Sequence, residues 1–187
     1  MGLQTLPGTT VETALTPGAA DRLLTPMFLS GGLVLSQVAQ LTGLEGYIIQ
    51  NWIKRKFLAP PQHKRYTRRQ LCRVLSINVL KDCFSLDHTA ALLGYINGVL
   101  DDESDDLIDD SLLYAYFVDC LAALSDVGQT EPGRVTQAID EVTAGFQSPN
   151  PIASRRLRLV LEIMLTAYES LQVKQRALAL FAQMEAE

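Results

Sequence analysis

The sequence predicts a mainly α-helical protein, in which a helix-turn-helix unit with a small β-hairpin precedes an all-helical lobe. Three observations predict it. Apolar residues recur at helical spacing through most of the 187 residues. The segment Phe57 to Tyr66, with prolines at 60 and 61, interrupts that rhythm after a short paired-helix pattern. The net charge of -5 hides a run from Gly46 to Lys81 that holds nine basic residues (Lys54, Arg55, Lys56, Lys64, Arg65, Arg68, Arg69, Arg73 and Lys81) and no Asp or Glu.

Residues 1–30 read as a partly irregular N-terminal arm rich in Gly, Pro, Thr and Ala, with a short helix near Ala19 to Leu24 and with Met27, Phe28 and Leu29 tucked against the next lobe. From Leu33 the pattern is helical, Leu35, Val38, Ala39 and Leu41 forming one stripe with Ser36 placed to cap it. Thr42-Gly43-Leu44 stops this helix, Gly43 supplying a positive φ and Leu44 an apolar plug. A second helix, Gly46 to Arg55, divides cleanly by spacing. Ile48, Ile49, Trp52 and Ile53 form a face that must be buried, while Tyr47, Gln50, Asn51 and Lys54 form an opposite face with polar donors and no acid.

Phe57 to Pro61 and Gln62 to Tyr66 then fit the two halves of a hairpin. Thr67 caps a third helix carrying Leu71, Val74, Leu75, Ile77, Val79 and Leu80, and Ser85 a fourth with Thr89, Leu92 and Leu93 inside. The domain reading is therefore an arm at 1–30, the helix-turn-helix with its hairpin at 31–98, and a helical lobe at 99–187. In that lobe Leu112, Leu113, Tyr116, Phe117, Cys120, Leu121 and Leu124 mark one helix, ended by Asp126-Val127-Gly128. Val135, Ile139, Val142 and Phe146 mark another after Pro132. The last runs from Pro151 toward Met184, capped by Asn150. At ~1.5 Å per residue it reaches ~50 Å. Its apolar positions Leu157, Leu161, Met164, Tyr168, Leu171 and Leu178 suit either pairing with a second copy or packing on its own lobe.

The ordered stretches Leu35-Ser36-Gln37-Val38-Ala39-Gln40-Leu41-Thr42-Gly43-Leu44, Ile49-Gln50-Asn51-Trp52, Leu58-Ala59-Pro60, Lys64-Arg65-Tyr66-Thr67 and Phe84-Ser85-Leu86-Asp87 resemble the DNA-binding domain of the MerR regulators. Continuing through Tyr95-Ile96-Asn97-Gly98 and the acidic residues beyond, the chain is more closely similar to a bacterial MerR-like family described only as a domain of unknown function. The resemblance implies a winged helix-turn-helix that contacts double-stranded DNA through its second helix and wing, usually as a homodimer, in a transcriptional regulator. It places Gln50 and Asn51 where the recognition helix meets DNA and matches Lys64, Arg65 and Tyr66 to the wing motif. Against the family pattern, Gln50 replaces a common arginine, Lys56 and Cys83 each replace a glycine, and Glu45 stands where a small capping residue is usual.

The DNA-contact candidates are thus Tyr47, Gln50, Asn51, Lys54, Arg55, Lys64, Arg65, Tyr66 and Arg68. The cations would neutralise phosphates and the two amides would read adenine edges. Each has a plainer reading: Gln50 and Asn51 as ordinary helix surface, Tyr47 as cover for the turn, and Tyr66 as a hairpin anchor packed on Trp52. The alternative function is a protein-interaction module that keeps the same fold, favoured by Glu45, Gln50 and the acidic surplus. A helical lobe that senses a small apolar effector is compatible with the DNA reading.

Seven acids fall between Asp101 and Asp110, but Asp106 and Leu112 occupy the loop positions where a calcium-binding EF-hand needs Gly and Glu. Asp105 with Asp109 and Asp106 with Asp110 are i, i+4 pairs that hold a cation, dress a helix start or mimic DNA. The histidines, His63 and His88, lie on different elements, and neither a phosphate loop nor a nucleophile with a matched base is present. The expectation is a non-enzyme without metal or cofactor. Cys72, Cys83 and Cys120, odd in number and set in apolar patterns, are expected as free buried thiols. With no apolar run of the ~18 residues a membrane helix needs and no basic, apolar leader at Met1, the expected location is cytoplasmic.

Overall fold

The computed structural model describes residues 3–98, 100, 106–125 and 133–186. A short antiparallel hairpin, β1 (Gln4–Thr5) and β2 (Glu12–Thr13), precedes α1 (Ala19–Leu24) and a 3-10 turn over Thr25–Phe28. Then come α2 (Leu35–Thr42), α3 (Gly46–Lys54), α4 (Arg68–Leu80), α5 (Leu86–Asn97), α6 (Asp110–Leu124), α7 (Arg134–Val142) and α8 (Pro151–Glu185). The protein is mainly helical, as its periodicity predicts.

Several helix starts follow from local chemistry. Thr67 Oγ1 accepts from the Gln70 amide at 3.2 Å, and the Gln70 side chain accepts from the Thr67 amide at 2.9 Å, a reciprocal cap that opens α4. Ser85 accepts from the His88 amide at 3.1 Å to open α5. Asn150 accepts from the Ile152 and Ala153 amides, each at 3.0 Å, with Pro151 at the first helical position. The start of α2 differs from expectation. Its boundary residue is Val34, and Ser36 lies inside the first turn. The Gln37 side chain accepts from the Val34 amide at 3.0 Å, meeting an orphan donor that no serine is placed to meet.

Buried on nearly every side, α4 is the axis of the molecule: Leu71, Val74, Leu75, Ile77 and Leu80 are all enclosed. It packs on α6 and also touches α8 and α2, so the buried apolar cluster runs unbroken from Leu6 to Ala167. The N-terminal segment is built into this core. Leu6 is fully enclosed, and Gly8, at φ 75°, lies so close to the Leu75 carbonyl that a Cβ would sit 2.6 Å from it. Asn78 Nδ2 donates to both Gly8 O (2.9 Å) and Thr42 O (3.0 Å), and the enclosed Tyr114 hydroxyl donates to Pro7 O at 2.6 Å. These bonds order a stretch whose composition suggests irregularity.

Three apolar expectations are corrected. Leu29 is 83% exposed and does not tuck inward, because the 3-10 turn directs Met27 and Phe28 toward the core instead. Leu112 is half-exposed on the first turn of α6. Cys83 is exposed beside Ser170 of α8, whereas Cys72 and Cys120 are buried thiols, pushed by burial up to about 12. The expected stop at Asp126-Val127-Gly128, Pro132 and the acids Asp101 to Asp105 lie outside the described residues.

The last helix, α8, has 35 residues. Its first half contributes Ala153, Leu157, Val160, Leu161, Met164, Leu165 and Ala167 to the core. From Gln172 onward it is exposed throughout, including Val173, Leu178, Leu180, Phe181 and Met184. Among the described residues no helix is long and apolar enough to cross a membrane.

Candidate nucleic-acid interface

The turn between α2 and α3 is closed by side chain and backbone together. Thr42 Oγ1 donates to Val38 O at 2.7 Å and accepts from the Leu44 amide at 3.3 Å, while Gly43 takes φ 69°. A Cβ at Gly43 would stand 3.0 Å from Thr10, so the turn is tight as well as left-handed. Leu44 is buried beneath it. On α3, Ile49 and Trp52 are buried, Ile48 and Ile53 half-buried, and Tyr47, Gln50, Asn51 and Lys54 all face solvent. The two faces read from spacing are therefore the two faces observed.

Beyond α3 the chain reverses at Lys56, whose φ of 61° is left-handed. The Lys56 amide donates to Ile53 O at 3.0 Å and the Phe57 amide to Trp52 O at 2.8 Å. Glycine suits this position best, so Lys56 holds a strained backbone. A two-residue turn comes next, with His63 at φ 49° and Lys64 at φ 61° between Gln62 and Arg65, closed by the Arg65 amide donating to Gln62 O at 2.8 Å. Two consecutive positive φ values are the type I′ pattern that joins twisted antiparallel strands. Tyr66 and Leu33 exchange both backbone bonds, at 2.7 and 3.0 Å, so the return strand also pairs with the chain entering α2.

A groove of about 510 Å³ opens between these parts, lined by Leu35, Ser36, Gln50, Ile53, Lys64 and Tyr66 among others and by no carboxylate. It brings Gln50 of α3 and Lys64 of the hairpin turn to one surface. Its floor is apolar. Tyr66 belongs to that floor: it is 2% exposed, and burial pushes its hydroxyl pKa up, so it anchors the hairpin and its ring is not a free contact. Leu35 and Ser36, read from sequence as an apolar stripe position and a cap, line the groove, a place that sequence reasoning does not give them. Their place beside the hairpin depends on the long-range pairing of Leu33 with Tyr66, which no local pattern reports.

The basic run divides when it folds. Arg68 pairs with Asp21 and donates to Thr25, Arg69 pairs with Asp106, and Arg73 meets Asp110 at 3.3 Å, so these three α4 arginines turn toward carboxylates. Arg68 is thereby committed to the arm. Arg55 lies over the Phe57 ring at 4.7 Å and 3.5 Å from Asp87. Lys81 pairs with Asp82 at 2.9 Å. Among the described residues Lys54, Lys56, Lys64 and Arg65 form no ion pair. Arg65 does donate to Gly32 O at 2.7 Å.

Residues 32–117 match a family described as a domain of unknown function, DUF1836. That stretch runs from the strand entering α2 to the middle of α6. An uncharacterized protein of Bacillus subtilis (strain 168), YkrK, is 26% identical over 125 residues, covering 58% of this chain. The chain spans about half the length of that curated relative, 54% of it. No solved structure matches. The matched stretch contains every residue of the groove and also the carboxylates that hold Arg69 and Arg73.

Proposed function

We propose that this chain binds duplex DNA through a MerR-like winged helix-turn-helix, α2 and α3 with the turn at His63 and Lys64 as wing, and acts as a sequence-specific transcriptional regulator. The observation that carries the reading is the groove that Gln50 and Lys64 both line, with no carboxylate among its described lining residues. An amide on a helix reads base edges in a major groove, and a cation on a neighbouring turn neutralises the flanking phosphate. Tyr47, Asn51 and Lys54 extend the same helix face, with Arg65 next to Lys64. A homodimer formed through the distal half of α8 accounts for the exposed Val173, Leu180, Phe181 and Met184.

Fluorescence anisotropy with mixed-sequence duplex DNA tests the proposal. The four cations without a carboxylate partner among the described residues predict a log-log salt slope of about -3 to -4 per protomer, and Lys64→Ala/Arg65→Ala reduces it by about 1 to 2. An unchanged slope in the double variant, or no salt-dependent binding by the wild type, contradicts it. The apolar floor formed by Leu35, Ile53 and Tyr66 favours a second reading, in which the groove receives an apolar peptide segment. That reading predicts binding partners whose affinity is insensitive to salt.

A further inference from the structure

The hairpin turn that carries Lys64 is held by few bonds of its own, yet its base is gripped by α4. Gln70 Nε2 donates to Ala59 O at 3.1 Å and Pro60 O at 3.0 Å, and Arg73 Nε donates to Phe57 O at 3.0 Å. These two side chains, one turn apart on α4, hold the three carbonyls that lead into the hairpin. On its other side the Arg73 guanidinium donates to Asp110 at 3.4 and 3.3 Å. Asp110 also accepts from Asn97 Nδ2 at 3.1 Å, and Asn97 Oδ1 accepts from the Ile108 amide at 3.4 Å. Arg73 and Asp110 are 9% and 5% exposed, so little water competes for the pair. A cavity of about 180 Å³ beside it, lined by Pro60, Gln62, Gln70, Arg73, Asn97 and Asp110, leaves room for the linkage to shift.

We infer that Arg73, seated on Asp110, is a positioning residue that sets where the hairpin turn stands relative to α3, so that the state of α6 in the helical lobe reaches the groove through α4. A contact surface shared by two elements needs its parts held to about half an ångström by the residues behind them. Here the first residues behind the turn, Gln70 and Arg73, lie on α4, and the carboxylate behind Arg73, Asp110, belongs to the helical lobe. The functional consequence rests on the DNA reading, but the mechanical link does not.

Amide hydrogen exchange on the free, full-length protein tests the link. Asp110→Ala cuts the lobe side and leaves Phe57 O available to Arg73. It is expected to speed exchange of the Arg65 and Tyr66 amides about tenfold, with a smaller change of the same sign in Asp110→Asn. Asp119→Asn is the control: it lies on the same helix, its carboxylate accepts from Gly18 at 2.7 Å, and it leaves the hairpin amides unchanged. In the Asp110→Ala background the effect of Lys64→Ala on duplex affinity shrinks at least twofold, because a displaced turn has less contact to lose. Unaltered Arg65 and Tyr66 exchange in both folded Asp110 variants overturns the inference, as does an equal acceleration in Asp119→Asn. If Asp110→Ala does not fold, Asp110→Asn alone decides. A wild type that ignores DNA while the exchange result holds removes the functional reading and leaves the link.

Discussion

Two residues hold unusual local conditions, and each carries a measurable consequence. Lys56 turns the end of α3 with a left-handed backbone, which costs a residue with a Cβ about 1–2 kcal/mol. Glycine removes that strain but gains freedom in the unfolded chain worth about 0.5–1 kcal/mol, so Lys56→Gly is expected to raise unfolding stability by about 0.5–1 kcal/mol in a denaturant titration. A loss of stability would mean that the Lys56 side chain itself supports the fold. Asp110 is the second. Burial pushes its carboxyl above the ordinary carboxylate range, opposed by the Arg73 and Arg69 guanidiniums, which pull it down. With the folded-state pKa raised, the contribution of this group to stability is full below the ordinary carboxylate range and is lost as pH rises through the raised value. Arg73→Met takes away the main counter-charge and is expected to cost about 3–5 kcal/mol at neutral pH. The loss shrinks as pH falls through the raised value, where the carboxyl takes up a proton, and equal losses at neutral and acid pH contradict the assignment.

At the scale of elements, helices are the most legible feature, because apolar spacing and caps are local. Thr67, Ser85 and Asn150 cap where their side chains predict, and the buried and exposed faces of α3 follow from Ile49, Trp52, Gln50 and Lys54 alone. The hairpin is legible as a break but not in its geometry, since His63 and Lys64 occupy a turn that glycine and asparagine usually signal. The start of α2 departs from the cap expected at Ser36 because the Gln37 side chain does the capping from within the helix. The distal half of α8 is an element without a covering partner in one copy of the chain. If two copies pair there, Phe181→Glu places a charge in the apolar contact and shifts the protein to monomer in sedimentation at micromolar concentration. A wild type that is already monomeric under those conditions contradicts the dimer.

For the whole molecule, charge placement is legible only in part. The acid-free run from Gly46 to Lys81, with its nine basic residues, reads as one surface, but folding sends Arg68, Arg69 and Arg73 toward Asp21, Asp106 and Asp110. The described acids of this block are in this respect internal counter-charge: Asp106 and Asp110 neutralise α4, and Asp109 caps α6 by accepting from the Ser111 amide at 2.7 Å. A signal for this exists in the i, i+4 spacing of Arg69 and Arg73, which puts both on one face of α4. Their partners lie over 30 residues away, a separation that no periodicity bridges. What reaches solvent without a carboxylate partner among the described residues is smaller than the run, Lys54, Lys56, Lys64 and Arg65, and it lies on α3, at its end and on the hairpin turn.

The proposed function requires this reduced set, with Gln50, to form one DNA-reading surface. Amide chemical-shift mapping during titration with duplex DNA checks that requirement. Salt-sensitive shifts are expected to concentrate in Gly46 to Lys54 and His63 to Arg65, with α7 and α8 unmoved. Shifts confined to the helical lobe, or none at all, contradict it.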